Sequence, residues 1–154
     1  MECNRKSKKS GMKSLLPYVI FIAMLFIVKA ANAEGSYAII TNAANPVASL
    51  GGADVMQIFL GKKVSWDDGT KIEIVTFTDS DIHQKFLKDY VKKNPQQFLC
   101  YWRQMLFTGK GTVPKDFNSD AEIVAFIAKT PGAIGYVSVE SSSSPGVKSI
   151  PINP

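Results

Sequence analysis

The chain has 154 residues, a formal net charge of +5 and 45% hydrophobic residues. Six of its 18 Lys and Arg residues and one of its 13 Asp and Glu residues lie in residues 1–33, so the remainder carries 12 of each and no net charge. Because the charges balance and no basic stripe is interleaved with aromatic residues, the composition gives no reason to expect a nucleic-acid partner.

Residues 1–33 have the pattern of an export signal. A basic start that includes Arg5 and Lys13 precedes an apolar run from Leu15 to Val28, and Ala31-Asn32-Ala33 supplies the small residues that signal peptidase prefers. The alternative is an uncleaved membrane anchor, but a spanning helix needs about 20 apolar residues and Lys29 interrupts this run early. We predict cleavage after Ala33, a periplasmic location, and one mature domain over residues 34–154.

In chain order, the mature part alternates strand and helix patterns. Predicted strands cover 37–41, 71–77, 133–139 and, at an edge, 147–152. Four helices are predicted: one from a cap near Ser49 to a stop at Gly61, one over 82–92, one from Asn94-Pro95 through Leu106, and one from the capping box of Ser119 and Glu122 to Pro131. The segment 110–118 is predicted as a polar loop. Phe98, Trp102, Met105 and Leu106 share one helical spacing and are expected in the core.

Two stretches follow the same design of helix, glycine stop and strand. Gly61 is expected to end its helix in the left-handed conformation, and the turn Asp67-Asp68-Gly69 follows Trp66 and leads into the strand at 71–77. Near the C-terminus, Pro131-Gly132 leads into the strand at 133–139 in the same way. This repetition predicts a single α/β domain.

Chemically reactive residues are few beyond residue 33. Cys100 and His83 are the only cysteine and histidine there. Cys100 lies in an apolar helical pattern and is predicted to be buried, whereas His83 is predicted to be exposed. One histidine and one cysteine cannot form a metal site of the usual kind, and no serine lies in a Gly-x-Ser-x-Gly elbow. We therefore predict no enzyme, no metal and no cofactor; a hydrolase that uses a serine and His83 is the least favoured alternative.

Several separated motifs carry a resemblance to a known family. They are Ile58-Phe59-Leu60-Gly61-Lys62, Trp66 with its Asp-Gly turn, Trp102, Phe107-Thr108-Gly109 and Pro131-Gly132-Ala133-Ile134-Gly135-Tyr136. Over roughly residues 36–139 the chain resembles the phosphate-binding proteins of bacterial phosphate ABC transporters. The resemblance implies one lobe of a type II periplasmic binding protein, a three-layer-like α/β domain with a mixed, mostly parallel sheet.

The cluster Thr78-Asp79-Ser80-Asp81 is the strongest candidate for a binding site. It lies where a strand passes into a helix, and a helix start offers unpaired amides to an anion. The alternative is that these side chains only cap the helix. The family has an Arg-Ser-Asp-Gly-Ser-Gly-Thr segment here, so the resemblance implies that Thr78, Asp79 and Ser80 contact the ligand, although the arginine is replaced by Phe77 or Thr78.

Two functional hypotheses follow. In the first, the chain is an exported solute-binding protein related to the phosphate transporter receptors, which binds phosphate or another small anion weakly and is completed by dimerisation or a partner subunit. In the alternative, it is a non-catalytic periplasmic interaction module that has lost the ligand site and contacts an envelope protein.

Overall fold

A computed structural model describes residues 37–78 and 80–153. Its strands are β1 (Tyr37–Asn42), β2 (Leu50–Gly51), β3 (Glu73–Phe77), β4 (Lys115–Phe117), β5 (Ala133–Ser138), β6 (Val147–Ser149) and β7 (Ile152–Asn153). Five of them form the main sheet in the order β4-β3-β5-β1-β6, while β2 and β7 form a separate parallel pair. In the main sheet β1 runs antiparallel to β5 and β6, and the other four strands share one direction. The expected mixed, mostly parallel sheet is thus confirmed.

Four α-helices cover the two faces of this sheet. They are α1 (Gly52–Phe59), α2 (Asp81–Phe86), α3 (Pro95–Phe107) and α4 (Asp120–Lys129). A π-helical turn, Leu87–Val91, continues α2, and a 3₁₀ turn, Glu140–Ser143, follows β5. Side chains alternate between the faces of a strand, so Ile39 packs with α1, α2 and α3, whereas its neighbour Ile40 packs with α4. The predicted three layers are present.

Helix starts are largely where the sequence places them. Asn94 caps α3 through a capping box with Gln97, Ser80 caps α2, and Ser119 caps α4. The cap of α1 is Gly51, two residues after Ser49, and the hydroxyl of Ser49 instead accepts a hydrogen bond from Asn153. The segment 110–118 is not entirely a loop, since its last residues form β4 beside β3.

Two predictions on α3 are also wrong. Cys100 is exposed, and Leu106 is 54% exposed. Cys100 lies on the side of the helix opposite Phe98 and Trp102, because successive helical residues are about 100° apart, whereas Leu106 lies four residues after Trp102, in the last turn and beyond the buried residues of the helix.

The two glycine-stop stretches meet in space. The indole nitrogen of Trp66, a residue only 3% exposed, donates a hydrogen bond to the carbonyl of Gly132 over 3.1 Å. Gly61 has a φ of 66°, as its predicted left-handed conformation requires, and lies against the ring of Trp102. The end of α1 and the start of β5 are therefore fixed to the same core.

The predicted signal peptide, residues 1–33, lies outside the described residues. Within the part of the chain that the structure describes, no helix is long and apolar enough to span a bilayer.

Candidate functional site

The predicted binding residues lie at the carboxyl end of β3. Thr78 is exposed there, and its amide donates to the carbonyl of Phe117 over 2.8 Å, which extends the pairing with β4. The hydroxyl of Ser80 accepts from the amide of His83 over 3.0 Å and thereby caps α2. Asp79 lies outside the described residues. Two of the amides at this junction are therefore already used within the protein, and the side chains of Thr78 and Asp81 are its exposed polar groups among the described residues.

His83 is buried rather than exposed, so the prediction for it is wrong. It is 8% exposed, and its Nδ1 lies 2.5 Å from the hydroxyl oxygen of Tyr136. The same oxygen accepts from the amide of Phe77 over 3.3 Å. Burial of the phenol raises the pKa of Tyr136 far above its usual value. His83 therefore joins α2 to β3 and β5 inside the core.

A cavity of about 230 Å³ lies next to this junction, between the carboxyl end of β3, the first turns of α3 and the segment before β4. Its walls combine apolar or aromatic surface with a few polar groups, as binding sites for small molecules do. The lining residues are Thr76, Thr78, His83, Pro95, Phe98, Leu99, Trp102, Val113, Pro114 and Asp116. Thr78 thus belongs both to the predicted site and to the cavity lining.

Trp102 lines this cavity and carries a buried, unpaired donor. The residue is 3% exposed, with its ring edge-on to Phe98 and Tyr101 at centroid distances of 6.3 and 5.8 Å. Its Nε1 is buried and has no hydrogen-bond acceptor within the described part of the chain. Leaving a buried N–H unpaired costs roughly 1–3 kcal/mol, so an acceptor from a ligand would be favourable there.

The charge at the cavity is negative or neutral. Among the described lining residues, Asp116 is the only Asp, Glu, Lys or Arg, and its carboxylate accepts a hydrogen bond from the hydroxyl of Thr76. The neighbouring Lys115 belongs to another surface, where its Nζ lies 3.1 Å from Glu73. Within the described part of the chain, no guanidinium or ammonium group therefore lines the cavity to attract an anion.

Positive charge is concentrated instead in an open groove of about 650 Å³ along α2 and its π-helical turn. Four of its lining residues are lysines, namely Lys85, Lys88, Lys92 and Lys93. Two of them are engaged within the protein, because Lys85 pairs with Asp89 over 3.1 Å and Lys92 donates to the carbonyl of Asp89 over 2.7 Å. Among the described residues, no group of three His, Cys, Asp or Glu side chains could hold a metal ion.

The sequence did not reveal this cavity, because its residues come from four separate segments. Trp102 was expected only as a core residue, and Pro114 and Asp116 fell in a predicted loop. For His83 a signal existed: it precedes Phe86 and Leu87 by three and four residues, the spacing of one helical face.

Comparison with known proteins shows the family to which this chain belongs. A family model described as a PBP superfamily domain matches residues 33–147. The chain belongs to the PBP superfamily. A search of curated protein sequences finds no match.

Solved structures share the PBP fold seen here. An ABC-type phosphate transport receptor from Vibrio cholerae is 20% identical, with a TM-score of 0.53 over 76% of this chain and 46% of its own. A putative phosphate ABC transporter substrate-binding protein with bound phosphate from Clostridium perfringens is 21% identical, with a TM-score of 0.59 over 76% and 44%. PstS from Borrelia burgdorferi is 15% identical, with a TM-score of 0.58 over 77% and 47%.

These similarities confirm the fold that the motifs predicted. This PBP domain spans less than half the length of the receptors that it matches.

Proposed function

We propose that this PBP domain is an exported, non-enzymatic solute-binding protein whose solute occupies the cavity beside Thr78. The observation that carries this proposal is the unpaired Nε1 of Trp102, because a buried donor without an acceptor, on a residue that lines a partly open cavity, favours occupancy by a molecule with an acceptor. The cavity also lies at the carboxyl end of β3, the edge where α/β sheets hold their ligands.

Phosphate is the first solute to test, because the similar receptors from Vibrio cholerae and Clostridium perfringens are phosphate-transport proteins. Thr78 and Trp102 offer donors to an oxyanion. Against them stand the carboxylate of Asp116 and the lack of any Lys or Arg in the lining, so the charge-assisted contacts that make anion sites strong are missing. We therefore expect a dissociation constant no tighter than about 0.1–1 mM.

Isothermal titration of phosphate into residues 34–154 tests the proposal. The parent is compared with a Thr78→Ala, Ser80→Ala double variant and with a matched control, Ser49→Ala with Thr108→Ala, whose hydroxyls lie elsewhere. Circular dichroism checks each fold, because loss of the Ser80 cap costs about 1 kcal/mol. We expect weak binding that only the first double variant abolishes. Micromolar binding by the parent would show that the site is a stronger anion receptor than its charges suggest.

A second candidate is the interaction module. It is favoured by the C-terminal end of α3, where Leu106 and Phe107 are exposed by 54% and 87%. Such a patch on a surface helix is typical of protein contacts, and a transporter or envelope protein is the partner that we propose for it. If the titration shows no binding by any variant, phosphate is not the solute, and the interaction module becomes a better hypothesis than a phosphate receptor.

A further inference from the structure

We infer that the preferred solute of the cavity is a small organic molecule, uncharged or cationic, that presents a carbonyl-type acceptor and a hydrogen-bond donor on an apolar body. This inference rests on the proposed function and specifies its solute class. It differs from the expectation of phosphate because three properties of the lining residues, namely their apolar surface, the unpaired donor of Trp102 and the carboxylate of Asp116, favour a different chemistry.

The first property is the apolar surface. Five of the ten lining residues are apolar side chains without any polar atom, namely Pro95, Phe98, Leu99, Val113 and Pro114. An oxyanion has no carbon surface to pack against these side chains. It stays hydrated only if water remains between it and the cavity walls. A ligand with a carbon ring gains about 25 cal/mol for each Å² of apolar surface that becomes buried.

The second property is the donor of Trp102. The far edge of its six-membered ring lies against Gly61 and Gly111, so the ring is held in place by packing. The N–H, in the five-membered ring at the other end of the indole, is buried and unpaired among the described residues. A neutral carbonyl oxygen is enough to satisfy one N–H donor, and no formal negative charge is required.

The third property is the carboxylate of Asp116. It accepts one hydrogen bond, from Thr76, and a carboxylate has capacity for about three more. A donor on the ligand would be attracted to it, whereas a phosphate oxygen would be repelled. No Lys or Arg in the lining offsets this repulsion.

The protein contains an internal control for testing this inference. It has two tryptophans, and the indole N–H of Trp66 is already bonded to Gly132 over 3.1 Å. A ¹H–¹⁵N spectrum of residues 34–154 therefore shows one indole signal from the cavity and one from the core. A Trp66→Phe variant assigns them.

Three probes are titrated separately: 2-pyrrolidinone, which has an acceptor, a donor and an apolar ring; cyclopentanone, which lacks the donor; and inorganic phosphate. We expect 2-pyrrolidinone to move the Trp102 signal and not that of Trp66. Half-saturation should require about tenfold less 2-pyrrolidinone than phosphate, a difference of about 1.4 kcal/mol, with cyclopentanone between them. Asp116→Asn should reduce this preference, because it removes the charge that repels phosphate.

Two results would overturn the inference. If phosphate moves the Trp102 signal at the same concentration as 2-pyrrolidinone or a lower one, the solute class is wrong while the proposed solute-binding function stands. If no probe moves it, the cavity is not a solute site. In that case the calorimetric comparison of the Thr78 and Ser80 double variant still decides whether the junction binds phosphate by itself.

Discussion

Trp102 combines a packing role with the proposed ligand contact, and the two can be separated by substitution. Its ring fills the space between Gly61, Gly111 and Phe98. Trp102→Ala should lower the free energy of unfolding by roughly 3–5 kcal/mol, as removal of a buried aromatic usually does. Trp102→Phe should cost less, since it keeps most of the apolar contact and removes the unpaired N–H. Urea denaturation measures both, and coincident curves for Trp102→Ala and the parent would mean that the ring does not stabilise the core.

Gly61 and Gly69 form a matched pair for separating backbone strain from packing. Both have positive φ, 66° and 85°, but a Cβ on Gly61 would lie 2.7 Å from the ring of Trp102, while one on Gly69 would meet nothing within 4 Å. Gly69→Ala should cost the roughly 1–2 kcal/mol of a left-handed alanine. Gly61→Ala should cost about 1–3 kcal/mol more, because the ring must move. Equal losses of unfolding free energy in the two variants, measured by thermal or urea unfolding, would show that the Trp102 ring moves aside at little energetic cost.

Asp89 should make stability depend on pH. Burial alone would raise its pKa, but hydrogen bonds from Tyr37 and Lys85 outweigh burial and hold the pKa of this carboxyl below its usual range. A lowered pKa in the folded state stabilises the fold above the unfolded pKa of about 4, and this contribution is lost as the pH falls through the folded pKa. Asp89→Asn should therefore lower the melting temperature at pH 7 but have little effect near pH 2.

The exposed ion pair of Lys63 and Asp67 provides the control for this pH dependence. The side chain of Asp67 is 91% exposed, and its pair with Lys63 spans 3.4 Å. Surface pairs of this kind contribute little, so Asp67→Asn should leave the melting temperature nearly unchanged at both pH values. Parallel behaviour of the two variants would contradict the role given to Asp89.

Strand β5 contains a glycine, Gly135, at a position that leaves little room for a side chain. A Cβ on Gly135 would lie 3.1 Å from Ile127 in α4 and 3.2 Å from Val75 in β3. Close packing thus explains this glycine. Gly135→Val should destabilise the protein by at least about 1–3 kcal/mol through overpacking. Gly52→Ala, at the start of α1 with nothing within 4 Å, is the control and should be neutral or slightly stabilising. Calorimetric melting of the two variants makes the comparison.

Long apolar elements were predictable from sequence, and elements defined by their neighbours were not. The periodicity around Ile39, Val75 and Ile123 identified β1, β3 and α4, because burial itself creates the pattern. β4 has only three residues with a lysine and an aspartate, so nothing but its pairing with β3 makes it a strand. The cavity escaped prediction for the same reason, since distant segments form its walls.

At the scale of the whole molecule, processing is the prediction that the sequence makes most directly. If the basic start and apolar run of residues 1–33 direct export, the mature protein should begin at Glu34. N-terminal sequencing of protein recovered from the periplasm checks this. A sequence that begins before Leu15 would mean that the segment stays attached.

The position of β1 has a consequence for the order of events during synthesis. β1 is made first among the strands, yet it lies between β5 and β6. A growing chain at about 5–20 residues per second therefore has no neighbours for β1 until the last part of the domain has been translated. Its native pairings join residues as far apart as Tyr37 and Ser138, and such distant contacts slow folding. The nascent chain therefore cannot complete its main sheet until β5 and β6 have been made, and we expect it to lack the native sheet for most of its translation.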